Sequence, residues 1–454
     1  MSAESRSAVT RWLDRASPTV FSAYAIFAAF TTYFCMYAFR KPFTAAQYEG
    51  LQFMGMEFLD LKTAFVTSQI IGYALSKFIG IKVCSEITRQ YRAVAMVLLI
   101  LWAELALLLF AVVPGEWKVA AIFMNGLPLG MVWGLVVAFL EGRRLSDLLL
   151  AGLCCSFIVS SAVVKDAGLF LMNDLGVTEY WMPFLTGLCF LPLFFITVWM
   201  LHQLPVPSQE DEQLRSKREP MKAKDRYSFV KDYFIGLSLL FVAYFFFTAF
   251  RDFRDIYGIE ILGQLGLGEL PAVFSRTEFF VAFAVLGVMA LLVFIQNNRV
   301  ALFYSYIIMM TGAAMIALST LLLQFEMING LWWYGLVGLG GYLAYVPYNC
   351  ILFERIFAST RAVGTAVFTI YVADAIGYVG SILIQLFKDS LFSEGTRLEF
   401  FIGFSYFTAI LTIVVLTLSC SYFMRRTQDV EQAFDQAGAP IGPAPEPAPA
   451  AKNP

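Results

Sequence analysis

Long apolar stretches alternate with short polar breaks along the whole chain. Apolar runs cover roughly residues 23–43, 60–82, 92–113, 117–140, 148–172 and 181–204. After a charged break, six more cover 233–254, 272–295, 300–323, 331–354, 362–388 and 399–423. Each is close to the ~20 mostly apolar residues that carry an α-helix across a bilayer. The pattern predicts an all-α membrane protein with twelve transmembrane helices in two groups of six. The second and fifth runs are the most polar, carrying Lys77 in one and Lys165 with Asp166 in the other.

These breaks divide the chain into an N-terminal segment 1–22, a six-helix half 23–204, a linker 205–232, a second six-helix half 233–425 and a tail 426–454. The linker is charged and holds Pro205, Pro207 and Pro220. From about residue 436 the tail reads GAPIGPAPEPAPAAKNP, an Ala- and Pro-rich composition expected to be disordered. The first apolar run is long and has no small-residue cleavage site, so it reads as a retained span.

Loop charge orients the layout. One side collects Arg6, Arg11, Arg15, Lys82, Arg89, Arg92, Arg143, Arg144, Arg299, Arg355, Arg361, Arg425 and Arg426. The linker adds Arg215, Lys217, Arg218, Lys222, Lys224, Arg226 and Lys231 to that side, whereas the other side has only Lys62, Lys118, Lys388 and Arg397. This asymmetry puts both termini and the linker in the cytoplasm of a multi-pass protein of the cell membrane.

Composition narrows the function. Of 454 residues, 59% are hydrophobic and 15% charged, and mean hydropathy is +0.70. Soluble domains average about 25% charged residues, so a soluble enzyme is excluded. A net charge of −2 gives no footing for nucleic-acid binding. The one histidine, His202, and the absence of any CxxC pair argue against histidine catalysis, a metal site or a disulfide framework. No GxxxxGK[ST] motif is present, so ATP hydrolysis is not expected. The chain reads as a non-enzyme without cofactor, a monomer whose partners are the lipid bilayer and a small solute.

An internal repeat carries the chemistry. Residues 32–43, TYFCMYAFRKPF, match residues 243–254, AYFFFTAFRDFR, aligning Tyr33 with Tyr244 and Arg40 with Arg251. Glu141 and Glu354 echo each other at the ends of the fourth and tenth runs. Two six-helix halves of like topology suggest a duplicated transporter with its site between them. A charge within a span costs at least ~2.5 kcal/mol and so requires an aqueous cavity or a partner. Arg251 has Asp255 one turn on, whereas Arg40 has no acid at helical spacing. Two guanidiniums turned to one cavity would clamp a phosphate or carboxylate.

The stretch YAFRKPFTAAQ (37–47) resembles the first helix of the organophosphate:phosphate antiporters of the major facilitator superfamily, whose pattern runs Tyr-x-x-Arg-Lys-x-Phe. YALSKFIGIKVCSEITRQYR (73–92) is similar to that family's second helix and following loop, and AVGTAVFTIYVADAIGYVGS (362–381) to its eleventh helix. The resemblance covers most of residues 20–425 and implies the major facilitator fold. It implies that Arg40 and Arg251 bind substrate phosphate, with Tyr37, Lys41 and Lys77 beside them. The family's histidine in helix five is missing here, and Lys165 and Asp166 occupy that helix.

Further charges suggest coupling. Asp166, Lys165, Asp252, Glu278 and Asp374 lie within spans and are candidates for proton coupling or a structural charge network. Lys165 and Asp166 are adjacent and so point to different faces. At the cytoplasmic mouth, Glu86, Arg89, Glu354 and Arg361 are candidates for a gate whose ion pairs bias a rocking equilibrium. The expectation is a secondary active transporter moving a small anionic organic solute by alternating access, in exchange for inorganic phosphate or with protons. A transport-inactive sensor of an anionic ligand on the same fold is the alternative.

Overall fold

The computed structural model describes residues 7–48, 52–55, 60–140, 143, 146–206, 223–267, 273–293, 295, 297–360, 366–391 and 396–436. Twelve long helices succeed one another: α1 Pro18–Ala38, α2 Leu61–Glu86, α3 Arg89–Val112, α4 Trp117–Leu140, α5 Ser156–Asn173 and α6 Met182–His202, then α7 Phe234–Ile256, α8 Val273–Val293, α9 Asn298–Gln324, α10 Gly330–Pro347, α11 Ala366–Leu391 and α12 Arg397–Gln436. Eleven described helical segments are long and apolar enough to cross a membrane. The exception is α2, 26 residues long but rich in Thr, Ser, Gln and Lys. Its polarity has a structural reason: it lines the seam between the halves.

Local chemistry sets the ends. Ser17 caps α1, accepting from the Val20 amide, and Pro18 opens the first turn with an already helical φ. The helix therefore starts five residues before the expected residue 23. Asp60 caps α2 by accepting from the Thr63 amide at 2.7 Å. A short helix Ala8–Arg15 precedes α1, and another, Ala223–Asp232, lies within the expected linker. The last helix continues past residue 425 to Gln436, because residues 426–436 contain neither Gly nor Pro to stop it. Residues 437–454, most of the expected tail, lie outside the described residues.

The fifth span is broken, Ser146–Cys154 preceding α5. After α10, Pro347 leads into a π-turn over Tyr348–Leu352 before helix resumes at Phe353–Thr360. Proline removes a helical hydrogen bond and wide turns absorb the misfit.

Within the first half, α4 runs against α2 at backbone distance. A Cβ built on Gly126 would stand 2.4 Å from the Gln69 carbonyl oxygen, and one on Gly130 2.6 Å from that of Tyr73. Glycine alone permits that approach, and it fixes the two α2 residues that seat Arg40.

Successive helices alternate in direction, the odd ones running toward one end, here the distal end, and the even ones running back. At the distal end the two halves share one core: Phe250, Phe253, Trp333 and Phe401 pack continuously with the first half's Phe39, Phe43 and Phe65. A second core around Tyr244, Tyr306 and Tyr348 is built mostly of second-half residues and takes in Ile158 and Val159 of the first half.

Candidate functional site

The site begins where α1 stops. Its last carbonyls would be orphaned in an apolar interior, and two amides from neighbouring helices take them up. Asn125 on α4 donates to the Phe39 carbonyl at 2.9 Å, and Gln69 on α2 donates to that of Arg40 at 2.9 Å. Gln69 also donates to the Asn125 side-chain oxygen at 2.7 Å. This knot holds the backbone of Arg40 rigidly.

The Arg40 side chain is only 9% exposed. Its guanidinium lies over the Tyr73 ring, 3.8 Å from the centroid, and 6.0 Å from that of Tyr37. Its Nε has no hydrogen-bond partner. No carboxylate among the described residues forms an ion pair with it.

The repeat mate differs in its surroundings. Arg251 on α7 lies 4.0 Å over the Tyr345 ring of α10 and donates to Asp252 at 2.8 Å. Pairing with Asp255, open from the sequence, does not occur, because Asp255 is already held by others. Lys41 donates to it at 2.6 Å, Lys165 at 2.8 Å and Ser161 at 2.6 Å. Tyr37, on α1, lies beside Arg40, its ring centroid 6.0 Å from the guanidinium.

Lys77 is not a free accessory cation. It reaches across from α2 to Asp374 on α11 at 2.5 Å. The second oxygen of Asp374 accepts from the Tyr244 hydroxyl at 2.6 Å, and the Tyr345 hydroxyl stands 3.0 Å from the Tyr244 oxygen. A continuous chain thus runs from Lys77 through Asp374, Tyr244 and Tyr345 to the face of Arg251. A shallow groove beside it is lined by Ala74, Phe78, Tyr371 and Tyr378.

The other candidates scatter. Arg254 pairs with Glu278 at 2.5 Å and stacks over Tyr334. Asp166 accepts from the backbone and side chain of Ser275 on α8, pointing away from Lys165 and its partner Asp255. Arg89, expected at a gate at the cytoplasmic mouth, donates to the carbonyls of Leu204 and Pro205, just past the end of α6 in its own half. Arg143 takes the Pro205 carbonyl too, at 2.5 Å. Glu354 is exposed in the first turn of Phe353–Thr360. Arg361, Glu141 and the side chain of Glu86 lie outside the described residues.

Sequence reasoning missed Tyr73, Tyr345, Gln69 and Asn125. A signal existed for Tyr244, which the repeat aligns with Tyr33. None existed for Tyr345, whose partner across the repeat position is Gly134.

Residues 42–426 match a family described as a family of unknown function, DUF5690. The chain belongs to the DUF5690 family. No curated protein matches its sequence. Among solved structures, this DUF5690 member is similar to a D-xylose–proton symporter at a TM-score of 0.57 and 12% identity, covering 87% of this chain and 97% of the other. A peptide transporter in complex with alafosfalin matches at 0.58 and 13%, covering 89% and 95%. A nucleoside transporter matches at 0.56 and 11%, covering 89% and 99%. These likenesses establish the major facilitator fold, with its two six-helix halves around a central seam.

Proposed function

We propose that this DUF5690 protein is a secondary transporter that moves a small organic anion by alternating access. The observation that carries the reading is Arg40: a rigidly seated, buried guanidinium at the seam with no carboxylate against it. Burying an unpaired charge is costly, so a site that keeps one is a site that expects a partner. Arg251, Tyr37 and Tyr73 share the space, and Lys77 with Asp374 borders it. Phosphorylated solutes are the first candidates, by the resemblance of residues 37–47 and 73–92 to organophosphate:phosphate antiporters. Exchange for inorganic phosphate, or coupling to protons through Asp374, would drive the cycle. Both termini face the cytoplasm in this reading, which rests on the Lys/Arg asymmetry of the loops.

The test is uptake into proteoliposomes. A thermal-shift screen of the purified protein against phosphate esters and organic acids selects the solute, and labelled solute is then offered to protein-loaded and empty vesicles. Accumulation that Arg40→Lys abolishes supports the proposal. Binding without accumulation makes the protein a sensor on the same fold, and a preference for uncharged solutes overturns the anion reading.

A further inference from the structure

Charged side chains along the seam fall into layers, and their balance restricts the substrate. Toward the distal end, Lys41, Lys165 and Arg254 face Asp166, Asp255 and Glu278, three cations against three acids. Asp166 accepts there from the Ser275 amide and hydroxyl. In the central layer, among the described residues, Arg40, Lys77 and Arg251 face Asp252 and Asp374. The distal layer is neutral and the central layer holds one positive charge more than it can pair.

Two other groups of charges do not alter that balance. Lys62, Glu260, Asp60, Lys388 and Arg397 form the distal rim, where Asp60 and Arg397 are 33% and 27% exposed and water screens them. Glu104 is buried inside the first half against Gly187 on α6. Both of its oxygens lack partners, and an isolated ionised carboxylate is so costly in that setting that the group stays neutral.

We infer that the central site takes a ligand carrying a single negative charge. The inference rests on the anion reading above and narrows it. One negative charge beside Arg40 neutralises the layer. A second would stand unpaired in the same apolar surroundings, with the same penalty that the empty site carries in the opposite sign. Asp252 enforces the limit, because it occupies the guanidinium of Arg251 that would otherwise meet a second charge. The substrate class is therefore a monocarboxylate, a phosphodiester, or a phosphate monoester in its singly protonated form. Dianionic phosphate esters and dicarboxylates are excluded.

The experiment uses the full-length purified protein and matched probes: dimethyl phosphate against methyl phosphate, and butyrate against succinate, each titrated at pH 8. Dimethyl phosphate and butyrate should bind at least about tenfold more tightly than their dianionic counterparts, the effect of one uncompensated charge partly screened by water. Methyl phosphate should gain affinity as pH falls through its second pKa, near 6, where the monoanion forms. Asp252→Asn frees Arg251 and raises the central charge by one, so its preference should turn toward methyl phosphate and succinate. Dianions binding as tightly as monoanions to the wild type, or an unchanged preference in Asp252→Asn, overturns the inference and leaves the anion reading standing. Folded protein that binds no anion in either series, or binds them equally after Arg40→Gln, overturns both.

Discussion

The Arg40 guanidinium lies over the ring of Tyr73 at 3.8 Å, and that aromatic face stands where a carboxylate would be expected. A desolvated cation–π contact contributes about 2 kcal/mol, less than the several kcal/mol that an unpaired buried ion costs. The residue is held in place by the tyrosine and by the backbone knot of Gln69 and Asn125. Its charge is left for something else to neutralise.

Replacing that guanidinium tests geometry separately from charge. Lysine keeps the charge and loses the planar fork. Arg40→Lys should weaken anion binding by about 1.5–3 kcal/mol, the scale of a hydrogen bond to a charged group. Arg251→Lys should cost less, because Asp252 already claims that side chain. If both act on one ligand, the double variant falls short of the sum of the two. Isothermal titration of the three variants checks this, and unaltered affinity in Arg40→Lys would remove it from the site.

Arg40→Gln also makes a prediction that needs no ligand. Removing an uncompensated buried charge should raise the melting temperature of the empty protein, or leave it unchanged. Anion-induced stabilisation, present in the wild type, should vanish. A marked fall in melting temperature without ligand would show that Arg40 is a structural ion.

Lys77 and Asp374 form a buried pair across the halves. Losing one partner strands the other, at a cost of about 3–5 kcal/mol, whereas losing both is far milder. Lys77→Met and Asp374→Leu should each lower thermal stability sharply, and the double variant should recover most of the loss. Additive losses would mean that the two side chains stabilise the fold independently.

At the distal end, Asp255 gathers Lys41, Lys165 and Ser161. Asp255→Asn leaves two like charges facing each other and should loosen closure there. In a background without the seven native cysteines, Ser161→Cys should then react with a membrane-impermeant maleimide at least about fivefold faster, which corresponds to a coupling of ~1 kcal/mol. Equal labelling rates with and without Asp255→Asn would show that the triad does not hold that end shut.

Gly126→Ala should disturb the site from outside it. The new methyl would meet the Gln69 carbonyl at 2.4 Å, so α2 and α4 must separate. Overpacking of this kind costs about 1–3 kcal/mol, and the displaced Gln69 would no longer hold Arg40. Thermal stability and anion affinity should therefore fall together, and affinity preserved at lowered stability would separate Gln69 from the site.

The sequence by itself determined the twelve spans and their division into two halves, because apolar runs of bilayer length leave the backbone no other economical structure. It also determined that Arg40 and Arg251 occupy matched positions, since the repeat keeps both in one register. Only the tertiary structure decided what each charge touches. Partners such as Lys77 and Asp374 are 297 residues apart, and helical spacing carries no information about contacts between helices of different halves. For the same reason Asp255 was open to Arg251 by local spacing, yet went to Lys41 and Lys165. Arg89, expected at a gate, bonds the carbonyls of Leu204 and Pro205 after α6, 115 residues on, a contact that no sequence motif displays. The asymmetry between the two arginines arose in the same way: Tyr73 and Tyr345 come from non-equivalent helices, α2 and α10. A duplicated sequence preserves the positions of its charges, and the packing of the two halves against each other decides which of them is left unpaired.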